Sequence, residues 1–293
     1  MKKEAPIFAI AADNWRNDVL ILSKHITYVT RNGMLKFLID EFGHRKINTI
    51  TKQDIQKFIT KYSQKMGSST LRGYLGTLRD VIEYSDDDWE MPRRLKLPKS
   101  ITPKRPFYSF EEVRKLLEKS KGYERTLLML LAETGCRLGE ALALSGDDLK
   151  GNAVNITKNV ILGMVQDTPK TESSVRKVNV SETLVTELRF LARNKGLLFR
   201  THTGILLYPQ MFITRLRQIC SRAGVDYRPS HSFRRGNVRE LLLNLHIPER
   251  VVGMRIGHKS SENLLLGVYC QTQDDDDLPY VSQIEKWLYK GER

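Results

Sequence analysis

The chain has 293 residues, a length that suits one large domain or two small ones. Hydrophobic residues make up 40% of it, which excludes a wholly disordered chain, and no apolar run reaches the ~18 residues that a membrane span needs. Its 48 Lys and Arg against 34 Asp and Glu leave a net charge of +14, a balance that points to a polyanionic partner, most often nucleic acid.

The first residues, MKKEAPIFAIAADNW, begin basic, but Asp13 and Arg16 interrupt the apolar stretch, so it reads as neither secretory signal nor anchor. Residues 1–90 read as an all-helical domain. Thr51 and Asp54 form a start signal before Ile55, Phe58 and Ile59. Ser69 or Thr70 then begins a helix with an apolar stripe of Leu71, Tyr74, Leu75, Leu78 and Ile82. Arg72 and Arg79 share another face of that helix, suited either to phosphates or simply to solvent. The acidic patch Asp86–Asp88 with Glu90 closes the domain.

Residues 91–106 read as an extended linker, because Pro92, Pro98, Pro103 and Pro106 oppose helix and the cations Arg93, Arg94, Lys96, Lys99, Lys104 and Arg105 favour solvent. A second domain, 107–293, opens with the capping pair Ser109 and Glu112, and helical patterns run to Leu144. Residues 153–180 are β-branched on either side of the turn-forming GMVQDTPKTE, which predicts a small antiparallel sheet of two or three strands. Helices resume at Ser181. Near the end the run Asp274–Asp277 reads as a solvated tether, followed by a tail helix over 279–290 with Ile284, Trp287 and Leu288 on one face. That face can pack on its own domain or, the reading favoured here, on a neighbouring protomer. The fold class is mostly α with a small antiparallel sheet.

Three segments carry chemistry. In TGCRLGEALAL, Arg137 follows Gly135 and has Glu140 three residues on. Apolar residues on both sides place this guanidinium at a core edge, where a lone cation is costly and an anionic client is expected. In SHSFRRGNVRELLLNL, Ser230 or Ser232 caps a helix, Phe233, Val238, Leu241 and Leu242 turn inward, and His231 and Arg234 face one way at its start, an arrangement suited to an anion. In IGHKSSENLLLGVYCQ, Gly257 and His258 stand at a helix end and Tyr269 follows eleven residues later.

Taken in order, T-G-x-R-x-x-E, H-x-x-R, G-H and the downstream tyrosine resemble the tyrosine recombinase (phage integrase) family over residues 107–270. The resemblance extends more loosely over 45–90, where LRGYLGTLRDVIEYS is similar to the family's core-binding helix. The interval from His258 to Tyr269 is longer than is usual in the family. The resemblance implies a two-domain clamp on double-stranded DNA and a site-specific recombinase. Tyr269 would attack the scissile phosphate to give a 3′-phosphotyrosyl link, Arg137 and Arg234 would hold its non-bridging oxygens, and His231 and His258 would bond the phosphate and move protons. Glu140 would support Arg137. It also implies a hairpin lysine as acid for the leaving 5′-hydroxyl: Lys170 fits, with Lys158 and Lys177 as weaker alternatives. Arg72, Arg79, Arg93, Arg94, Lys104 and Arg105 are the candidate DNA contacts. Tyr280 and Tyr289 are reserve nucleophiles.

Physical chemistry points the same way. Two arginine forks neutralise charge that gathers on a phosphodiester under attack, and covalent catalysis conserves the bond energy, so no cofactor, nucleotide or metal is expected. Cys136, Cys220 and Cys270 are too few and too scattered for a disulfide framework or zinc site, so the expected setting is reducing, cytoplasmic and nucleoid-associated, without membrane. Cys136 and Cys270 flank Arg137 and Tyr269, so thiol alkylation is expected to inhibit. A homo-oligomer on DNA, a tetramer exchanging tail helices, with accessory proteins possible, completes the expectation. A nicking–religating topoisomerase and a DNA-binding regulator with a vestigial catalytic set are the rival functions.

Overall fold

A computed structural model describes residues 4–99, 106–161, 163–166, 175–193, 195–201, 203–257 and 277–290. The chain divides into two compact units, Met1–Pro103 and Lys104–Arg293.

The described part of unit 1 is helical: α1 (Phe8–Asp18), α2 (His25–Phe42), α3 (Lys52–Tyr62) and α4 (Ser68–Ser85), with one 3₁₀ turn between α1 and α2 and another between α2 and α3. The start of α3 is a reciprocal cap. Thr51 Oγ1 accepts from the Asp54 amide at 3.3 Å, and Asp54 Oδ2 accepts from the Thr51 amide at 2.9 Å. No side chain caps α4; it begins at Ser68 after Gly67, one turn too early for Ser69 or Thr70 to serve. Its stripe is as expected, with Leu71, Leu75, Leu78 and Ile82 buried and Tyr74 packed against the same core. Beyond α4 the chain runs without helix or strand to residue 99, yet it lies on its own unit. Trp89, Met91, Leu95 and Leu97 pack on the core, and Gln56 bonds the backbone of Lys96 through both amide atoms, at 2.9 and 3.0 Å. These apolar residues, interleaved with the cations, hold the segment down while Arg93 and Arg94 stay exposed.

Unit 2 is built around α6 (Gly122–Thr134), in which every residue from Thr126 to Thr134 is buried. A helix apolar on all sides must be surrounded; α5 (Phe110–Glu118), α8 (Glu182–Ala192) and α10 (His231–Arg239) pack against it. The expected Ser109–Glu112 cap on α5 is present. The short α7 (Leu138–Leu142) leads to the strands β1 (Leu149–Lys150), β2 (Ala153–Ile156), β3 (Asn159–Ile161), β4 (Met164–Gln166) and β5 (Arg176–Asn179). Order β1–β2–β5 forms one antiparallel sheet, while β3 and β4 make a separate hairpin. The sheet of two or three strands is thus joined by a second hairpin, whose strand β4 lies in what reads as a turn-rich stretch; Gly163, at φ +81°, stands in its turn. α9 (Pro209–Ala223) and α11 (Glu249–Ile256) complete the frame.

The last described segment, α12 (Leu278–Glu285) with a π-helical turn to Lys290, sits on its own unit. Leu288 is fully buried in the main core, Trp287 meets Phe110 edge to face at 5.1 Å, and Arg114 Nη1 donates to the Trp287 carbonyl at 2.6 Å. Asp277 is not part of a solvated tether: it is fully buried and ion-paired to Arg255. A carboxylate with an arginine to meet it loses less by leaving water than its position in an acidic run suggests. No helix among the described residues is long and apolar enough to cross a membrane.

Candidate active site

Gly135 ends α6 in the left-handed conformation, φ +62°, as a helix C-cap turning sharply into a loop requires. A Cβ there would press on the Asn237 side chain at 2.8 Å and on Ile256 at 3.1 Å, so glycine is needed for space as well as for backbone angle. Two residues on, Arg137 is the N-cap of α7. Its amide donates to Glu140 Oε2 at 2.9 Å and its Nη1 to Oε1 at 2.7 Å. The Glu140 carboxylate is 6% exposed and the Arg137 side chain 47%, so the acid is anchored while the cation reaches out.

The other arginine arrives on α10. Arg234 is buried, and its Nη1 donates to the Gly135 carbonyl at 2.9 Å. Asn237, one turn on, donates to the Ala132 and Glu133 carbonyls at 2.8 and 3.0 Å, satisfying the end of α6. Gly236 lets this helix lie directly on the Tyr108 backbone, and Phe233 stacks on Tyr108 at 4.5 Å. The two ends of the T-G-x-R and H-x-x-R segments are therefore locked together across 99 residues of sequence. Burial, then the nearby Arg137 and Arg176 charges, bring the Arg234 guanidinium down to about 10. That shift records burial first and crowded like charge second, and an anion would relieve the crowding.

His231 opens α10 and, with Arg234, borders a hollow of about 390 Å³ whose other walls are Arg235, Val238, Arg239, Leu242 and Leu243. Neither serine acts as a side-chain cap: Ser230 makes no capping bond, and Ser232 is fully buried. Of the residues expected to turn inward, Phe233 and Leu241 are buried, whereas Val238 and Leu242 are half-buried against a smaller cluster.

Of the other expected site residues, Lys170, His258, Tyr269, Lys104 and Arg105 lie outside the described residues. Lys158 is engaged elsewhere, with Nζ 3.1 Å from Asp148. Lys177 lies on β5, opposite Asn155. Arg72 is exposed on α4, as a DNA contact needs to be. Arg79 is bound at 2.8 Å to Asp80, its neighbour on the same helix. Tyr280 is half-buried. Tyr289 is unsuited as a reserve nucleophile, because its hydroxyl donates to the buried Glu133 at 2.6 Å, and burial and that carboxylate hold it well above the usual tyrosine range.

Cys136 is 2% exposed, and burial, then Glu140, raise its thiol to about 11. A buried neutral thiol is inert. Iodoacetamide at pH 7.5 should therefore leave the Cys136 peptide unmodified until the protein is denatured, as read by peptide mass mapping, so alkylation at this cysteine is not the route to inhibition the sequence suggests. Sequence reasoning also passes over Arg176. It appears as one more cation in a β-branched stretch, yet its Nη2 donates to Glu140 at 2.9 Å.

Known proteins share this fold. The phage integrase family matches residues 107–275, and its N-terminal SAM-like domain matches residues 12–63. A XerC-like tyrosine recombinase of Caldanaerobacter subterraneus subsp. tengcongensis is 25% identical over 292 residues, covering 84% of this chain and 74% of its own. Among solved structures, the Tn1549 transposon integrase in complex with transposon right end DNA superposes with a TM-score of 0.71 at 16% identity, over 97% of this chain and 99% of that one. A lambda integrase tetramer bound to a Holliday junction gives 0.68 at 14% identity, over 91% and 78%. The chain belongs to the phage integrase family and is a tyrosine recombinase, an enzyme of site-specific DNA recombination.

Proposed function

We propose that this chain carries out recombination on double-stranded DNA with Tyr269 as nucleophile and Arg137, Arg234, His231, His258 and Lys170 as its catalytic set. Arg137 and Arg234 grip the non-bridging oxygens of one phosphodiester. The Tyr269 hydroxyl attacks phosphorus and passes its proton to one of the two site histidines, the bond to the 5′-oxygen breaks, and Lys170 protonates that oxygen, leaving a 3′-phosphotyrosyl link. Attack by a 5′-hydroxyl on this link reverses the step and rejoins the strand. The single observation that carries the reading is the bond from Arg234 to the Gly135 carbonyl, which brings a second guanidinium to the loop that presents Arg137.

Integration, excision or resolution of a DNA element is the biological setting this chemistry serves, with accessory proteins free to choose among them and a nucleoid-associated location. Assembly as a homo-oligomer on DNA belongs to the same reading, with exchange of the tail helix within a tetramer. In the free chain the tail is docked on its own unit, so exchange would be an event of assembly that first draws Leu288 out of the core.

The test is a suicide substrate: a duplex selected by the protein from a random-sequence pool, then nicked beside the cleavage point so that the cut end diffuses away. A covalent protein–DNA band whose phosphopeptide maps to Tyr269 is the expected result. Tight binding without a band would favour the regulator, and relaxation of any supercoiled plasmid would favour the topoisomerase.

A further inference from the structure

We propose that Arg176 is a positioning residue of the cleavage site, fixing Glu140 so that this carboxylate orients Arg137 without cancelling its charge. The proposal rests on Arg137 being a phosphate ligand, as argued above.

Arg176 stands at the start of β5 with its side chain only 5% exposed. Two nitrogens of its guanidinium bond an acid and a helix end: Nη2 donates to Glu140 Oε2 at 2.9 Å, and Nε donates to the Arg255 carbonyl, in the last turn of α11, at 2.8 Å. A cation at a helix C-terminus is favourably placed. Glu140 Oε2 thus takes two donors, the Arg137 amide and Arg176, while Oε1 takes Arg137 Nη1. Three bonds leave the carboxylate one rotamer, and Arg137 inherits that order.

The charge balance gives Arg176 its second effect. Glu140 with Arg137 alone would be a neutral pair, a poor receptor for a phosphate. With Arg176 added, one acid is shared by two cations, and a unit of positive charge remains at the site beside that of Arg234. Among the described residues, the ionisable groups around Glu140 are Arg137 from the loop, Arg176 from β5, Arg234 from α10 and the Cys136 thiol. Burial pushes the Glu140 carboxyl up, but Arg176 and Arg137 outweigh it and hold the group below the usual carboxylate range. An arginine is required because a lysine has no planar fork to span an acid and a carbonyl together.

Two variants separate charge from shape. Single-turnover cleavage of the nicked duplex and its dissociation constant are measured from pH 5 to 8 for the parent, Arg176→Gln and Arg176→Lys. Arg176→Gln removes the cation that keeps Glu140 ionised, so the Glu140 carboxyl rises and protonates at higher pH. Its cleavage rate should fall on the order of 10–10²-fold at pH 7.5, the range expected when a catalytic group is misplaced. Its acid limb should also move to higher pH, and its affinity for DNA should stay within about threefold, well below one tenfold step. Arg176→Lys should lose less rate, about 3–10-fold, and keep the parental acid limb, because the charge remains and only part of the fork is lost. Parental rates and pH profiles in both variants would overturn the proposal, as would losses in both that track DNA affinity or melting temperature. Should Arg176→Gln fail to fold, Arg176→Lys decides alone: a reduced rate with an unmoved acid limb supports the role, and a parental rate refutes it. A parent that forms no covalent product signals failure of the functional assignment itself.

Discussion

Arg234→Ala is expected to slow strand cleavage by about 10²–10³-fold, the usual effect of removing one donor aimed at developing charge, while duplex affinity changes little. Arg234 is 6% exposed, and its neighbours Arg137 and Arg176 repel it, so the folded protein holds this cation at a cost that nothing in the fold itself requires. Alanine relieves the repulsion and gives up one bond to the Gly135 carbonyl; the melting temperature should therefore fall by no more than a few degrees, as for loss of about 1 kcal/mol. Arg234→Lys gives the sharper readout. A lysine there meets the same burial and the same two cations from a lower starting pKa. It is charged below its depressed pKa and neutral above it, so cleavage by this variant should recover as pH falls from 8.5 to 6.5, over a range in which a parental arginine stays protonated. Single-turnover rates on the nicked duplex check both variants, and parental activity in Arg234→Ala would remove this residue from the catalytic set.

What the sequence made legible follows from how local each signal is. The Thr51–Asp54 and Ser109–Glu112 caps close within three residues, so spacing alone reveals them, and both are present. The pairing of Arg137 with Glu140 is equally local. The bond between Arg234 and the Gly135 carbonyl spans 99 residues; only the ordered set of motifs, not any spacing, points to it. Arg176 stayed hidden for a related reason. Its partners, Glu140 and the Arg255 carbonyl, stand 36 and 79 residues away, and a β-branched stretch gives its cations no distinction. The tail is the clearest failure of local pattern. The spacing of Ile284, Trp287 and Leu288 announces an apolar face without saying what covers it, and an aspartate within a run of four looks solvated until its arginine is known.

That buried pair sets the second large effect. Asp277→Asn should lower the stability of unit 2 by about 3–5 kcal/mol, the cost of leaving a buried charge without its partner, a fall of roughly 6–20 °C in melting temperature for a domain of this size. Arg255 is entirely enclosed: Nη1 donates to Asp277 and to the Asn179 carbonyl at 3.1 Å, and Nη2 to the Glu133 carbonyl at 3.1 Å. Asp277 in turn accepts from the Asn179 side chain. The pair therefore joins α6, β5, α11 and the beginning of the tail at one point. An asparagine keeps the shape and the bond to Asn179 but removes the carboxylate that pairs with the guanidinium, leaving as a nearby acid Glu133, whose carboxyl burial pushes up. Asp277→Leu combined with Arg255→Met should recover much of the loss, because a buried ion pair is replaced more cheaply by apolar side chains than broken by half. Urea unfolding of the single and double variants measures both quantities. A single variant as stable as the parent would mean that the carbonyls alone satisfy Arg255. The expected ordering, with the half-pair least stable, would mean instead that an electrostatic lock secures the tail, and any transfer of the tail between protomers must provide Arg255 with another anion.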